Sequence, residues 1–183
     1  MKKILIALVA LVVVAGIAIG AMVLFAPTEF GVEREVVINK SKSETFEYLR
    51  ILRNQNAWGP WAKKDPNMKQ EYRGEDGEVG FVSAWDSESD DVGAGEQEIK
   101  KIVDGERIDY ELRFLKPFEA TSDAWLITED AGEGKTKVKW GFTGAMPRPF
   151  NVMMLFIDME EAVGKDFEEG LASLKSELES QGS

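Results

Sequence analysis

The hydrophobic positions of this chain follow three different patterns, one after another. From Ile4 to Phe25 no residue is charged or polar. In several segments between Phe30 and Gly144 apolar residues alternate with polar ones, which predicts β-strands. From Phe156 to Leu178 apolar residues return every three or four positions, which predicts an amphipathic helix. The chain therefore divides into an apolar leader, a body rich in strands and a terminal helix.

The leader predicts a membrane anchor. As a helix, Ile4–Phe25 would be about 33 Å long at about 1.5 Å per residue, which is enough to cross a hydrocarbon core of about 30 Å. A cleaved signal peptide is the alternative, and Ala18-Ile19-Gly20 resembles a cleavage site. The apolar part of a signal peptide normally spans only about 7–15 residues, however, so we favour an uncleaved helix.

The charges beside the leader predict its orientation. Lys2 and Lys3 precede the apolar run, and positive residues favour the cytoplasmic side of a membrane. We therefore expect a single-pass protein whose main domain is extracytoplasmic. The expected divisions are a cytoplasmic segment 1–3, a membrane helix 4–25, a linker 26–29 and one domain 30–180.

The body begins with a strand and a helix. Phe30–Ile38 predicts the strand, and a capping box of Ser41 and Glu44 starts the helix that follows. The next segment, "NQNAWGPWAKKDP", holds two tryptophans around Gly59 and Pro60, which prevent a long regular helix. Six strands separated by turn signals then predict an antiparallel meander.

The terminal helix is predicted to start at Pro149, which suits the first position of a helix. Its apolar stripe comprises Phe156, Met159, Val163, Phe167, Leu171, Leu174 and Leu178. The preceding stretch, Phe150–Met159, is apolar on nearly every side. It either packs against neighbouring loops or forms a cavity wall or portal that faces the nearby membrane.

Composition excludes several kinds of chemistry. The chain has 33 acidic and 22 basic residues, no Cys and no His. The acidic excess would repel backbone phosphates, so we expect no nucleic-acid partner. The missing residue types exclude disulfides, thiolate nucleophiles and histidine bases. Asp86–Gly93 is acidic but lacks the register of a calcium loop, so we expect no metal site, and no cofactor.

The order of these segments resembles the SRPBCC superfamily, also called START-like or helix-grip, which includes the polyketide cyclase/dehydrase group. The resemblance covers about Phe30 to Leu178. It is carried by "REVVINKSKSETFEYL", "AWGPWAKKDP", "GFVSAW", "GEQEIKKIVDGERIDYELRF", "GKTKVKWGFTG" and the terminal helix. It implies an α+β fold of order β-α-α-β-β-β-β-β-β-α, here preceded by one transmembrane helix. In this fold a curved antiparallel sheet grips the terminal helix around a largely apolar cavity.

The resemblance also implies where a ligand would bind. Trp58 and Trp61 would cap one end of the cavity, although both could instead fill the core. The expected pocket residues are Trp58, Trp61, Phe81, Trp85, Tyr110, Leu112, Phe114, Trp140, Phe142, Met153, Phe156 and Ile157.

Three functions are compatible with these features. We favour a membrane-anchored domain that binds a hydrophobic small molecule or lipid. An enzyme of the polyketide cyclase/dehydratase type could use the same cavity, with Tyr110 as the one candidate for acid/base catalysis. An interaction module with a filled interior and a basic partner is the third. An interior below about 100 Å³ would favour this last function, because ligand pockets usually measure about 300–1,000 Å³. The sequence leaves the oligomeric state open.

Overall fold

The structure, a computed structural model, describes residues 2–180, so that Met1 of the predicted cytoplasmic segment lies outside it. The helices are α1 (Lys2–Phe25), α2 (Lys42–Arg50), α3 (Gln55–Trp58), α4 (Pro60–Lys64) and α5 (Met159–Ser180), with 3₁₀ helices at Leu52–Asn54 and Phe150–Leu155. The strands are β1 (Glu29–Ile38), β2 (Lys69–Arg73), β3 (Val82–Asp86), β4 (Ala94–Val103), β5 (Arg107–Lys116), β6 (Ala120–Asp130) and β7 (Thr136–Ala145). The expected element order is confirmed.

The seven strands form one antiparallel sheet in the order β1-β7-β6-β5-β4-β3-β2. The meander from β2 to β7 brings the last strand back beside the first, where Glu29 pairs with Ala145 and Ile38 with Thr136. The α2–α4 segment and α5 complete the α+β helix-grip fold, which confirms the predicted fold class.

One end of this sheet carries α1, and we call it the anchor end. Because neighbouring strands are antiparallel, this end of the sheet holds the start of β1, the end of β7, the start of β6 and the end of β5. The 3₁₀ helix at Phe150–Leu155 follows β7 at the same end. At the opposite end, Asn39 N donates to Glu179 Oε1 near the end of α5 (2.8 Å). The helix α5 therefore runs from the anchor end to the opposite end.

The inner face of the sheet packs against α5. Phe167, Leu171, Leu174 and Leu178 of the predicted stripe are buried. The ring of Trp140 on β7 stacks on Phe167 with a centroid distance of 4.0 Å. Apolar side chains at every second position of the strands bury the other side of this layer. The side chain of Met159 lies outside the described part of the chain.

Trp125, whose direction the sequence does not indicate, lies on the outer face. Its Nε1 donates to Glu33 Oε2 (2.8 Å). Its ring covers Gly141 of the neighbouring strand so closely that a Cβ there would lie 2.0 Å from the ring. A side chain at position 141 would therefore displace this tryptophan.

The predicted start of the terminal helix is wrong. Pro149 precedes a 3₁₀ helix, and α5 begins only at Met159. The reason is Asp158, whose Oδ1 accepts from Glu161 N (3.0 Å) while its carbonyl accepts from Ala162 N (3.0 Å). Asp158 thus caps the helix at that point, and Phe156, which the stripe included, lies outside it.

The close approach of α5 to the sheet depends on a glycine. A Cβ at Gly170 would lie 2.7 Å from Trp140 Cζ3 and 3.2 Å from Pro60 Cδ. We expect Gly170→Ala to lower the free energy of unfolding by about 1–2 kcal/mol, because overpacking outweighs the better helix propensity of alanine. Urea denaturation measures this.

Gly164→Ala is the matched control. Its added Cβ would meet only the guanidinium end of Arg34, which is a flexible side chain. We expect its unfolding free energy to change by less than about 1 kcal/mol. Equal losses in both variants would contradict the close packing at Gly170.

Charged side chains form a ladder on the outer face of β4 and β5. Arg113 donates to Glu98 Oε2 (2.7 Å), Glu96 Oε2 (2.9 Å) and Glu111. Glu96 also accepts from Arg73 (2.7 Å). The hydrogen bond from Arg113 lowers the pKa of Glu98, and those from Arg73 and then Arg113 lower the pKa of Glu96.

Replacing Arg113 should therefore have a pH-dependent effect. Because the folded-state pKa values of Glu96 and Glu98 are lowered, their stabilisation is present above the ordinary glutamate pKa and is lost as the pH falls through the folded value. We expect Arg113→Met to cost about 1–2 kcal/mol at pH 7 and clearly less below about pH 4. Denaturation at both pH values measures this. Lys135→Met, which removes a more exposed pair with Glu133, should change little at either pH.

Candidate functional site

A cavity of about 250 Å³ lies between the inner face of the sheet, α5 and the α3–α4 segment. Its lining comprises Leu52, Gln55, Asn56, Gly59, Trp61, Ala62, Met68, Gln70, Ser83, Trp85, Val92, Gln97, Leu112, Phe114, Ala124, Trp140, Phe142, Val163, Asp166 and Phe167. This volume is well above the limit of about 100 Å³ that we set for a filled interior. It is somewhat below the range of about 300–1,000 Å³ that is usual for ligand pockets.

The cavity occupies the half of the interior nearer the anchor end. Phe114 and Phe142, which line the cavity, lie near the ends of strands β5 and β7. Val163 lines it from the first two turns of helix α5. In the other half, residues such as Ile108 and Leu174 fill the core completely. Side chains therefore pack the core at the end far from α1, and the cavity lies at the end near α1.

Six aromatic residues contribute to the wall. Trp61 meets Trp140 edge to face with a centroid distance of 5.6 Å, and it meets Phe167 in the same way at 6.4 Å. Phe114 is likewise edge to face with Trp85 and Phe142 (6.2 Å in each case). Such rings present rigid apolar surfaces, so the wall suits an apolar ligand.

Three polar side chains of the lining, Gln55, Ser83 and Gln97, face this apolar space without a side-chain hydrogen-bond partner among the described residues. Ser83 on β3 lies directly opposite Gln97 on β4, and both line the cavity. No side-chain hydrogen bond is made by either within the described part of the chain. They offer a donor and an acceptor to a ligand atom.

A second polar group at the wall is already satisfied. Asn56 Nδ2 donates to Gln70 Oε1 (3.0 Å) and to the Tyr72 hydroxyl (2.8 Å). Gln70 Nε2 donates back to Asn56 Oδ1 (2.9 Å), and the Tyr72 hydroxyl donates to Gln70. This network ties α3 to β2 and holds the cavity wall in place.

Asp166 is the one ionisable residue among the described lining residues. Both of its carboxylate oxygens accept from Lys64 Nζ (2.8 Å each). Within residues 2–180, no group of three or more acidic side chains lies close enough together to hold a metal ion.

Tyr110, the candidate for acid/base catalysis, does not line the cavity. Its side chain is buried in the core, and its hydroxyl has no hydrogen-bond partner among the described residues. Burial raises its pKa above the ordinary tyrosine value, so the hydroxyl stays protonated at neutral pH.

The predicted pocket residues fall into three places. Six line the cavity, namely Trp61, Trp85, Leu112, Phe114, Trp140 and Phe142. Three are buried in the core beside it, namely Trp58, Phe81 and Tyr110. Three are exposed at the anchor end, namely Met153, Phe156 and Ile157. That any of them contacts a ligand stays a prediction.

The two tryptophans of the Gly-Pro segment thus have different positions. Trp58 is 1% exposed and packs edge to face on Trp140 with a centroid distance of 5.0 Å. Trp61, one helical turn later, faces the cavity. Gly59 separates α3 from α4, and both rings contact Trp140 edge to face although only Trp61 lines the cavity.

The sequence analysis missed the polar residues of the wall, together with apolar ones such as Met68 and Val92. Gln97 has the same strand parity as Ile99, which is buried, so its position indicates the inner face. Asp166 precedes Phe167 of the helical stripe and gives no such signal. Its position at the wall depends on the partner Lys64, which the sequence does not reveal.

Comparisons with known proteins agree on the fold. The sequence pattern of the family "polyketide cyclase / dehydrase and lipid transport" matches residues 29–179. A search of curated proteins finds no match. Similar structures include a protein from Nitrosospira multiformis, with TM-score 0.58, 16% identity and coverage of 81% of this chain and 95% of that one.

Two further structures extend this result. A protein from Mesorhizobium loti has TM-score 0.60 and 13% identity over 84% of this chain and 100% of that one. The Aha1 dimer from Colwellia psychrerythraea has TM-score 0.53 and 13% identity over 80% of this chain and 93% of that one. At such identities the similarity shows the fold alone.

Truncating the two tryptophans should separate a core residue from a wall residue. We expect Trp58→Ala to lower the free energy of unfolding by about 3–5 kcal/mol, because it leaves a hole in a filled core. Trp61→Ala should cost distinctly less, because one side of its ring already faces empty space. Urea denaturation followed by circular dichroism measures both. Equal losses would mean that Trp61 belongs to the core.

Proposed function

This chain belongs to the polyketide cyclase/dehydrase and lipid transport family, whose pattern matches residues 29–179, and we propose that it is a membrane-anchored domain. We propose that this domain binds a neutral, mostly apolar small molecule or lipid. The observation that carries the proposal is the hollow of about 250 Å³ walled by aromatic rings. Protein interiors normally contain few voids larger than a water molecule. A hollow of this size and chemistry therefore fits a ligand site better than a packing defect.

The apolar wall would supply most of the affinity. Burying about 300 Å² of apolar ligand surface would contribute about 7–8 kcal/mol at about 25 cal/mol per Å². The loss of ligand freedom offsets part of this gain. Micromolar binding corresponds to about 8 kcal/mol, so the strongest binding expected from this wall is of that order.

The polar groups favour a neutral head group on the ligand. Gln97 and Ser83 can hydrogen-bond a hydroxyl or carbonyl oxygen. The Asp166 carboxylate at the wall is neutralised by Lys64, which leaves no unpaired cation among the described lining residues for an acidic ligand. The best-supported class is an apolar chain or ring system with one uncharged polar group.

Membrane anchoring rests on α1. This helix is long and apolar enough to cross a bilayer, and none of its residues is buried by the rest of the protein. A signal sequence would share these properties. We propose retention of the helix because its apolar run exceeds that of a typical signal peptide, with the domain on the extracytoplasmic side.

The wall supports binding over catalysis. Acid/base catalysis requires a group that can exchange protons near neutral pH within reach of the ligand. Tyr110 does not line the cavity and is protonated, and both carboxylate oxygens of Asp166 accept hydrogen bonds from Lys64. We therefore propose a binding role for this cavity.

The proposal can be tested with neutral n-alkanols of eight to twelve carbons. The full chain in phosphatidylcholine nanodiscs is titrated with each alkanol, and its thermal unfolding is recorded. At about 100 times the dissociation constant, ligand binding should stabilise the folded state by about 2.7 kcal/mol. The variant Leu112→Trp, which fills the cavity, should lose most of this stabilisation.

The control is Lys101→Trp, which adds the same ring at an exposed position on β4. The alkanols should stabilise this variant as much as the unmodified chain, because its cavity is unchanged. Any effect of the alkanols on the lipid bilayer is common to all three proteins. If folded Leu112→Trp protein is stabilised as strongly as the control, the alkanol binds elsewhere and the cavity proposal is wrong.

A further inference from the structure

We propose that the anchor end of the domain carries a membrane-contact surface, which holds the hollow half of the domain against the bilayer that α1 crosses. The surface consists of Leu115, Phe118, Phe150, Met153, Phe156 and Ile157, and we call it the anchor-end patch. The inference rests on the anchoring role of α1 proposed above, and it does not depend on any ligand in the cavity.

The first observation is where the exposed apolar side chains lie. Phe118 is 80% exposed and Phe156 is 78% exposed, although large aromatic side chains usually lie in the core of a water-soluble domain. Leu115 lies near the end of β5, Phe118 lies in the β5–β6 turn, and the other members of the patch follow β7. Both segments lie at the end of the sheet that carries α1.

The rest of the domain does not share this property. Outside α1 and the anchor end, the exposed large apolar residues of the described chain are Val37, Ile51 and Val79. These residues are scattered, which is normal for a protein surface. The concentration of exposed aromatic and aliphatic side chains is therefore specific to one end.

The second observation is a hydrogen-bonded joint between α1 and the segment that carries most of the patch. Asn151 Nδ2 donates to the carbonyls of Val23 (2.9 Å) and Ala26 (3.0 Å). Arg148 donates to the carbonyls of Val23 (3.1 Å) and Leu24 (3.0 Å). These carbonyls end the helix and have no partners within it, and the guanidinium cation also suits the negative end of the helix dipole.

This joint determines the depth of the patch. Val23 lies two residues before the end of α1, which is about 3 Å along the helix axis. A segment bonded there is level with the point where the helix leaves the hydrocarbon core. Asn151 itself is completely buried between the two elements, so the segment cannot swing away without exposing these groups.

The occupant of the patch is therefore the bilayer itself. Phe25, the last residue of α1, is 86% exposed and lies between Leu24 and Ala26, whose carbonyls accept from Arg148 and Asn151 of the segment that carries most of the patch. The strongly acidic chain favours zwitterionic over anionic lipid at this contact. Because the cavity lies in the same half of the domain, docking would place it close to a pool of apolar molecules.

The test uses site-directed nitroxide labels, which the absence of cysteine in the chain makes unambiguous. The full chain is reconstituted in palmitoyl-oleoyl phosphatidylcholine vesicles as Phe118→Cys, Phe156→Cys or Val79→Cys. Val79 is the control, because it is also an exposed apolar residue (59%) but lies in the β2–β3 turn at the opposite end. All three positions are exposed, so the label should not disturb the fold.

We expect the labels at positions 118 and 156 to collide several-fold more with oxygen, relative to a water-soluble nickel complex, than the label at position 79. An aqueous label at either patch position, in protein that floats with the vesicles, would overturn the inference alone. Protein that does not float with the vesicles would overturn both the anchoring role of α1 and this inference. Neither result bears on alkanol binding in the cavity.

Discussion

The stack of Trp140 on Phe167 is the contact on which the interior depends. It joins the central part of β7 to α5 with the two rings parallel and 4.0 Å apart. Trp58 and Trp61 meet the same indole edge to face, so that one side chain connects the sheet, the terminal helix and the short helices. Aromatic pairs have defined geometry and large buried areas, which is why this cluster sets the distance between the layers.

The hollow follows from that spacing. Toward the opposite end of the sheet, aliphatic side chains from α5 and the strands are long enough to fill the gap. Toward the anchor end, the rings of Trp61, Phe114 and Phe142 stand around the gap without closing it. The same cluster therefore stabilises a filled core on one side and leaves a cavity on the other.

The chemistry of the chain is consistent with binding and with a membrane location. Its cavity wall combines aromatic rings with three unpartnered neutral polar side chains, and the one carboxylate in the described lining is paired with a lysine. Charged residues are organised as ion pairs on the outer face of the sheet, where Arg113 bridges three glutamates. Exposed apolar residues concentrate at the end of the domain that α1 joins. The outer face of the sheet is thus charged, which suits contact with water. The anchor end is apolar, which suits contact with the bilayer proposed above.

The helices, the strands and the fold class could be predicted from the sequence, because the periods of strands and helices and the residues of turns are local signals. The sequence also indicated the superfamily and a helix long and apolar enough to cross a membrane. Of the twelve residues predicted for the pocket, six line the cavity. Three-dimensional packing was needed to establish that Trp58 and Tyr110 belong to the core, that α5 starts at Met159 rather than Pro149, and that Met153 and Phe156 lie outside the cavity. These outcomes depend on contacts between residues far apart in the chain, and periodicity carries no information about which buried face remains unfilled.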